Sequence, residues 1–238
     1  MTLQNLSFEY QKEKDRSRKR LGLIVLQTDE TLEPEFKDYF RDSSHIFHYA
    51  RIPSSAEVTS ETLAKMADSM EETARLLPTT ANFDVIGYAC TSGATVIGEE
   101  RVEALVQKSH PHAKVTTPLT ALKAKLRSLS ANKVSILTPY VPEVTTAITD
   151  HLRNEGFEIV ALGSFNESSE AAVARISTSS TLDAAKNIAS FAESDALFLS
   201  CTNLPTINLL EEAETETGRA VISSNSALAW HMNELARD

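Results

Sequence analysis

Short, continuous apolar runs recur along the chain, and each is followed after a turn by a helical pattern. The first run is Leu-Gly-Leu-Ile-Val-Leu at 21–26, and a matching run, Lys-Val-Ser-Ile-Leu-Thr, lies at 133–138, about half the chain later. Because strands that are buried on both faces have continuous apolar sequences, these runs predict central strands of parallel sheets. Helices are predicted after them at 32–40 and 141–153, the second with Pro142 in its first turn.

The same order of elements continues through both halves of the chain. Second strands are predicted at 45–50 and 157–162, and third strands at the apolar runs that end at Cys90 and Cys201. The remaining predicted elements are helices at 59–77 and 181–193, helices at 96–109 and 204–216, short strands at 114–117 and 220–223, and helices at 118–129 and 225–236. Strands that alternate with helices predict an α/β fold with parallel sheets in two similar lobes.

We expect the boundary between the two lobes near residue 130. The first lobe is then 21–130 and the second 131–238, and the last helix is expected to pack back on the first lobe. Residues 1–20 form a charged N-terminal arm, with a net-basic stretch at 12–20. A solvated lead-in to the first strand is the favoured interpretation of this stretch, and an arm for an anionic partner is the alternative.

The composition and charge of the chain argue against several classes of protein. The chain has 238 residues, 42% of them hydrophobic, and a formal net charge of −10. An acidic balance is unlike the basic footprint of nucleic-acid-binding proteins, so no nucleic-acid partner is expected. No apolar run approaches the roughly 18–20 residues that cross a membrane, and the N-terminus lacks the apolar segment of a secretory signal. We therefore expect a cytoplasmic protein with free thiols and no membrane partner.

The only two cysteines of the chain stand in matching frames. Cys90 follows the run Asp-Val-Ile-Gly-Tyr-Ala that begins at Asp84, and Cys201 follows the run Asp-Ala-Leu-Phe-Leu-Ser that begins at Asp195. Because ligands of parallel sheets bind at the carboxyl ends of strands, both thiols are expected to face one cleft.

A thiol at a strand end, just before a helix, is stabilised as a thiolate by the helix N-terminal amides. A single free cysteine is more often a small buried core residue, but the duplication favours a paired chemical role. The residues that follow the two cysteines are candidate donors to a substrate carboxylate and candidate helix N-caps; they are Thr91, Ser92, Thr202 and Asn203.

Other chemistries find little support in the sequence. It contains no G-x-G-x-x-G after a strand, no phosphate-binding G-x-x-x-x-G-K-[ST] and no G-x-S-x-G elbow. None of the six histidines belongs to a cluster with zinc spacing, so no metal site is predicted. Tyr140, in the turn after 133–138, is expected at the cleft as a donor to a substrate oxyanion, with a packed aromatic as the alternative.

Around these residues the sequence resembles the aspartate/glutamate racemase superfamily, in particular the branch of maleate cis–trans isomerases and arylmalonate decarboxylases. The resemblance runs from about Leu21 to Ala236. Its specific motifs are Cys90-Thr91-Ser92, Cys201-Thr202-Asn203, Pro139-Tyr140, Phe165-Asn166 and, in outline, the turn that begins with Thr28-Asp29.

The resemblance implies two flavodoxin-like lobes related by a pseudo-twofold axis, with the active site in the cleft between them. It implies a small carboxylic-acid substrate, no metal or organic cofactor, and a homo-oligomer, dimer or larger. Tyr140 and Asn166 would add side-chain donors to those that follow each cysteine, and Thr28 and Asp29 would line the site.

Three reactions are consistent with the resemblance. In a racemase, each thiol serves one face of the substrate. In a maleate isomerase, Cys90 would add to the double bond while Cys201 acts as the acid/base. In a decarboxylase of this family one of the two cysteines is absent, so the presence of both favours isomerase or racemase. A non-catalytic protein that binds small acids is a further alternative, from a different class.

One position departs from the maleate isomerases, which place Asn in the first turn to hold a substrate carboxylate. The matching residue here is Asp29. An ionised Asp repels a carboxylate and suits an ammonium or a protonated partner, so the substrate is expected to differ from maleate. The Thr-Asp-Glu-Thr turn is similar to a subgroup associated with ectoine breakdown, which implies racemisation of an amino-acid derivative as an alternative activity.

Overall fold

The apolar runs form two four-stranded sheets in the computed structural model, which describes residues 5–12 and 18–237. The strands are β1 (Arg20–Leu26), β2 (Ile46–Ile52), β3 (Val85–Ala89), β4 (Lys114–Thr116), β5 (Lys133–Thr138), β6 (Glu158–Ser164), β7 (Ala196–Leu199) and β8 (Ala220–Ser223). Their order is β2-β1-β3-β4 in the first sheet and β6-β5-β7-β8 in the second, and all pairs are parallel. The predicted α/β fold with two similar parallel sheets is confirmed.

Ten α-helices connect and cover these strands in the described part of the chain. They are α1 (Leu32–Tyr39), α2 (Ser60–Leu76), α3 (Thr91–Ile97), α4 (Glu99–Gln107), α5 (Pro118–Ser128), α6 (Pro142–Asn154), α7 (Glu170–Val173), α8 (Thr178–Phe191), α9 (Leu210–Thr217) and α10 (Ser224–Arg237). None of the described helices is both long and apolar enough to cross a bilayer.

Two details differ from the predicted helices. The helix predicted at 96–109 is two helices, because Gly98 adopts a φ of 90° between α3 and α4. A left-handed residue interrupts the helical ladder, and glycine is the residue that adopts it without a steric penalty. The short helix α7 has no counterpart among the predicted elements.

One apolar core joins the two sheets. It includes Ile24 and Tyr88 from the first sheet and Ile136 and Phe198 from the second, all with no exposed surface. Such a continuous core fixes how the two sheets lie relative to one another, because close-packed interiors resist relative movement.

The last helix, α10, packs on the first sheet although it follows the last strand of the second. Its Leu228 and Met232 belong to the same apolar cluster as Leu23 and Val85. The lobe boundary near residue 130 stays a prediction. Of the charged stretch at 12–20, residues 13–17 lie outside the described residues.

A buried carboxylate links α1 to the segment that follows β7. Glu35 accepts hydrogen bonds from the backbone amides of Thr206 and Ile207, at 2.5 and 2.8 Å, and from Asn225 Nδ2 at 2.7 Å. Asn225 also donates to the carbonyl of Thr202 at 2.8 Å. Because Glu35 is only 8% exposed, water would not readily accept these hydrogen bonds if the carboxylate were removed.

We expect Glu35→Ala to lower the free energy of unfolding by about 2–4 kcal/mol, since it leaves several buried donors without an acceptor. Glu61→Ala on the exposed face of α2 removes only a surface pair with Lys65, and should cost less than about 0.5 kcal/mol. Urea unfolding of both variants measures the difference. Equal losses in the two variants would contradict the role given to Glu35.

Candidate active site

Both cysteines lie at the carboxyl ends of strands and are almost completely buried. Cys90 directly follows β3 and Cys201 follows β7 after Ser200, and each thiol-bearing residue is 3% exposed. In a parallel sheet these ends form the binding edge. The repeated sequence frame therefore places two thiols at equivalent positions of the two sheets.

Cys90 is the N-cap of α3. Its Sγ accepts a hydrogen bond from the amide of Gly93 at 3.2 Å, and Ser92 Oγ lies 3.7 Å from the same sulfur. A Cβ at position 93 would fall 2.9 Å from Cys90 Sγ and against the Tyr88 hydroxyl. Only glycine therefore allows this amide to approach the thiol so closely.

Cys201 is held differently, with a left-handed backbone. Its φ of 103° is a conformation that costs a non-glycine residue roughly 1–3 kcal/mol. The amide of Cys201 donates to Ser224 Oγ at 3.0 Å, and its Sγ accepts from the amide of Asn203 at 3.4 Å. The strained backbone turns the chain away from β7 without starting a helix, so the two thiols have unlike surroundings.

Hydroxyl groups connect the two cysteine segments to one another. Ser224 Oγ, which accepts from the Cys201 amide, also lies 2.7 Å from Thr91 Oγ1. Thr202 Oγ1 donates to the carbonyl of Ala89 at 3.3 Å. The threonine after each cysteine is thus buried in contact with the other half of the chain, and the cysteines are cross-braced rather than independently placed.

A tyrosine lies near each thiol. The phenol of Tyr88 favours the thiolate form of Cys90 and the phenol of Tyr140 that of Cys201, which opposes the effect of burial on the two pKa values. The Tyr88 hydroxyl itself donates to Met66 Sδ at 3.6 Å. Both rings are buried, and burial raises the pKa of each phenol well above its usual value, with the charges of the cysteines adding to the effect. The phenols therefore act as donors. The charges of both cysteines act on the pKa of Tyr140, so the two thiols and this ring belong to one cluster.

Asp29 lies in the turn between β1 and α1 and is 3% exposed. Its Oδ1 accepts from the amides of Thr31 and Leu32, each at 2.8 Å. Its Oδ2 is buried without a direct hydrogen bond among the described residues, while the nearby Thr202 hydroxyl favours the ionised form of the carboxyl. Burial raises the pKa of this carboxyl to about 6.

Glu170, at the start of α7, is a second buried carboxyl in the cluster and is 5% exposed. Its Oε2 accepts from Asn203 Nδ2 at 2.8 Å, and its carbonyl accepts from the same nitrogen at 3.0 Å. Burial raises the pKa of Glu170 to about 7, and the nearby charge of Asp29 contributes in the same direction. The site thus holds two carboxyl groups beside its two thiols.

The thiols are protonated at neutral pH in this arrangement. Burial, followed by the charge of Glu170, raises the pKa of Cys90 to about 12, against the opposing hydrogen bond from Gly93. The same two causes raise the pKa of Cys201 well above its ordinary value. A thiolate therefore requires that ligand binding change the charge or the solvation of the cluster.

Two loops from opposite sheets contact one another near Glu170. The loop after β2 and the loop after β6 meet in an antiparallel bridge between Glu57 and Ser169. The amide of Val58 donates to the carbonyl of Ser168, and the amide of Glu170 donates to the carbonyl of Ala56, both at 3.0 Å. These contacts fix the start of α7, and with it Glu170, against the loop after β2.

The other residues predicted for the site have varied surroundings. Thr28 is half-buried, and its hydroxyl lies 3.1 Å from Ser54 Oγ. Asn166 is exposed with a φ of 54°, and its amide donates to Ser164 Oγ at 3.0 Å. Asn203 already uses its side chain, because Oδ1 accepts from the amide of Glu30 at 2.9 Å while Nδ2 donates to Glu170. Their binding roles stay predictions.

Sequence reasoning missed three members of the cluster, namely Tyr88, Glu170 and Ser224. Tyr88 lies two residues before Cys90, so strand alternation places both side chains on one face, and this signal was available. Ser169 followed by Glu170 is a typical start of a helix, yet nothing local to it indicates that the carboxylate points inward.

Comparison with known proteins shows that the chain is similar to arylmalonate decarboxylases and maleate isomerases. The family model for arylmalonate decarboxylase matches residues 21–238. The maleate isomerase of Nocardia farcinica is 30% identical over 223 residues, which cover 89% of this chain and 88% of that protein.

The chain is also similar to solved structures of maleate isomerases. The structure of a Nocardia farcinica maleate cis–trans isomerase mutant, with a cysteine replaced by serine and a covalently bound succinylcysteine intermediate, is 28% identical. It superposes with a TM-score of 0.84 and covers 93% of this chain and 94% of its own. A Pseudomonas putida S16 maleate isomerase mutant with maleate is 27% identical, with a TM-score of 0.80 and 91% coverage of each chain.

We expect the Glu170→Gln variant to be more stable than the wild type at pH 8 by about 1–3 kcal/mol, and the difference to vanish near pH 4.5. The folded pKa of Glu170, about 7, lies above its ordinary value of 4.5, so the folded protein retains a proton that the unfolded chain releases. This contribution to stability is lost as the pH rises from about 4.5 to 7. Asp29, with its pKa raised to about 6, contributes in the same direction in both proteins.

Urea unfolding at pH 4.5, 6 and 8 measures this difference. Glu143→Gln, at an exposed position of α6, is the matched control and should leave the pH profile unchanged. A Glu170→Gln variant whose stability runs parallel to the wild type across the whole range would contradict the assignment.

Proposed function

This chain belongs to the arylmalonate decarboxylase family, and on that premise we propose that it is a cofactor-independent, two-cysteine isomerase of a small carboxylic acid. The observation that carries the proposal is the pair of buried thiols at equivalent strand ends, braced against one another through Ser224. In the arylmalonate decarboxylase branch the resemblance implies a single cysteine, whereas this chain has two, which favours isomerisation over decarboxylation.

For cis–trans isomerisation, the thiolate of Cys90 adds to one carbon of the double bond, and the π electron pair moves to the other carbon and into the carboxylate that this carbon bears, which gives an enediolate. Rotation about the former double bond follows, and collapse of the enediolate expels the thiolate and gives the trans acid. Cys201 serves as the acid/base on the other side. For racemisation, one thiolate removes the proton beside the carboxylate and the opposite thiol returns one. Both reactions leave the enzyme unchanged.

The unlike surroundings of the thiols support Cys90 as the nucleophile. Cys90 receives a helix-start amide at 3.2 Å, whereas Cys201 receives a turn amide at 3.4 Å. Amide donors and the phenol of Tyr140 would stabilise the enediolate, and such preorganised donors are usually the largest source of rate acceleration. The remaining substrate contacts would come from the residues predicted for the site, namely Thr91, Thr202, Ser92, Asn166 and the turn at Thr28.

We further propose that the protein works in the cytoplasm as a homo-oligomer, a dimer or larger. The two free thiols support the compartment, and the family resemblance supports the oligomer.

We expect Cys90→Ser and Cys201→Ser each to lower turnover at least about a hundredfold while the fold is retained, because a hydroxyl is a far weaker acid and nucleophile than a thiol. The assay incubates the enzyme with candidate acids in deuterated water and follows α-proton exchange and cis–trans conversion by NMR. Ser135→Ala is the matched control, since Ser135 is a buried strand residue away from the thiols.

Near-wild-type turnover in either cysteine variant would contradict the two-thiol mechanism. Tight binding of an acid without exchange, isomerisation or carbon dioxide release would instead identify a binding protein. Carbon dioxide release from a malonate-type acid would identify a decarboxylase.

A further inference from the structure

A buried tyrosine beside the first cysteine has a weak hydrogen-bond partner. Tyr88 lies two residues before Cys90 in extended backbone, so strand alternation places both side chains on one face. The ring has no exposed surface, and its hydroxyl donates to Met66 Sδ at 3.6 Å. Among the residues that the structure describes, no oxygen or nitrogen accepts from this hydroxyl. A good donor is therefore held by a thioether, which is a weak acceptor.

The hydroxyl and the thiol border the same small space in front of Gly93. A Cβ built at this glycine would lie 2.9 Å from Cys90 Sγ, 2.9 Å from Met66 Cε and against the Tyr88 hydroxyl. A hydroxyl hydrogen rotates to suit its surroundings. A turn of this hydroxyl thus redirects its hydrogen from the thioether towards the thiol sulfur.

Which sulfur is the better acceptor depends on the charge of Cys90. A neutral thiol is a weak acceptor, as a thioether is, whereas a thiolate accepts stronger, charge-assisted hydrogen bonds. Burial and the charge of Glu170 raise the pKa of Cys90, and the donors that oppose them are Gly93, Ser92 and Tyr88. The phenol keeps its own proton, because burial and the charge of Cys90 raise its pKa well above the usual value.

From this geometry we propose that Met66 holds the Tyr88 hydroxyl while Cys90 is a neutral thiol, and that the hydroxyl turns to Cys90 Sγ when the thiolate forms. Tyr88 and Met66 are then positioning residues, because they act on the reaction through Cys90. This role rests on the proposed function, since it concerns the thiol to which addition to the substrate is assigned.

The two positioning residues have effects of opposite sign on the thiolate. The Tyr88 hydroxyl stabilises the thiolate by a hydrogen bond that the neutral thiol receives only weakly. The thioether of Met66 opposes it, because the hydroxyl must leave this sulfur when it turns to Cys90. Loss of the hydroxyl therefore disfavours the thiolate, and loss of the thioether favours it.

The rate at which iodoacetamide alkylates Cys90 at pH 8 tests this exchange, because the thiolate is the form that displaces iodide. Tyr88→Phe keeps the ring, and we expect it to lower the rate at least about fivefold, since a hydrogen bond to a charged group is lost. Met66→Leu nearly conserves volume, and we expect it to raise the rate about two- to fivefold, since the hydroxyl no longer leaves an acceptor. The double variant should react at the rate of Tyr88→Phe alone, because without the hydroxyl the thioether has no donor to hold.

Peptide mapping at low conversion measures each cysteine separately, so Cys201 is an internal control. The pKa of its thiol responds to Tyr140 and not to Tyr88, and its rate should be equal in the wild type and all variants. This control separates an effect on the Cys90 thiolate from a general opening of the cleft. Met70→Leu, at a fully buried methionine one turn along α2, is the matched variant and should leave both rates unchanged.

A Cys90 rate in Tyr88→Phe equal to that of the wild type would overturn the proposal. A Met66→Leu variant that reacts no faster than the wild type would do the same. An acceleration by Met66→Leu that persists in the Tyr88→Phe background also overturns it, because the methionine would then act by packing alone.

Alkylation requires no substrate, so its outcome is distinguishable from that of the proposed reaction. Near-wild-type turnover in Cys90→Ser would refute the two-thiol mechanism, while the alkylation rates would still decide whether the hydroxyl serves the thiolate. Conversely, equal alkylation rates in all variants, together with loss of turnover in Cys90→Ser, would refute the exchange and retain the mechanism.

Discussion

The arrangement of the cleft depends on the hydrogen bonds of one fully buried side chain, Asn203. Its amide group joins the turn after β1, through the amide of Glu30, to the start of α7, through Glu170. Its own carbonyl accepts from Thr31 Oγ1 at 2.9 Å. A neutral side chain with both donors and an acceptor is suited to this position, because it satisfies groups of both kinds where water does not reach.

The two halves of the chain have the same topology, but the backbone conformation differs between them at the two cysteines. Both sheets have the same strand order, and both cysteines follow the third strand of their sheet. Cys90 then begins a helix, whereas Cys201 takes a left-handed conformation and leads into a turn. A duplicated fold thus supplies matched positions, and local backbone differences supply two thiols with different environments.

Much of the fold could be predicted from the sequence, because buried parallel strands such as β1 and β5 are continuous apolar runs bounded by turns. The strand-end cysteines were predictable for the same reason, since each closes such a run. Glu170, Ser224 and the junction at Glu35 were not, because each acts across the cleft on residues far away in the chain. A single sequence contains periodicity and local signals, whereas these contacts are set by how the two sheets pack. The split at Gly98 was also missed, since a lone glycine is compatible with a helix.

The bridge between the loops after β2 and β6 has a consequence for the electrostatics of the thiols. The amide that closes the bridge on Ala56 belongs to Glu170, the same residue whose carboxylate lies beside the thiols. The carboxylate of the same residue is held by Asn203 Nδ2 at 2.8 Å. The contact between the two loops and the charge environment of the sulfurs are therefore set by one and the same residue.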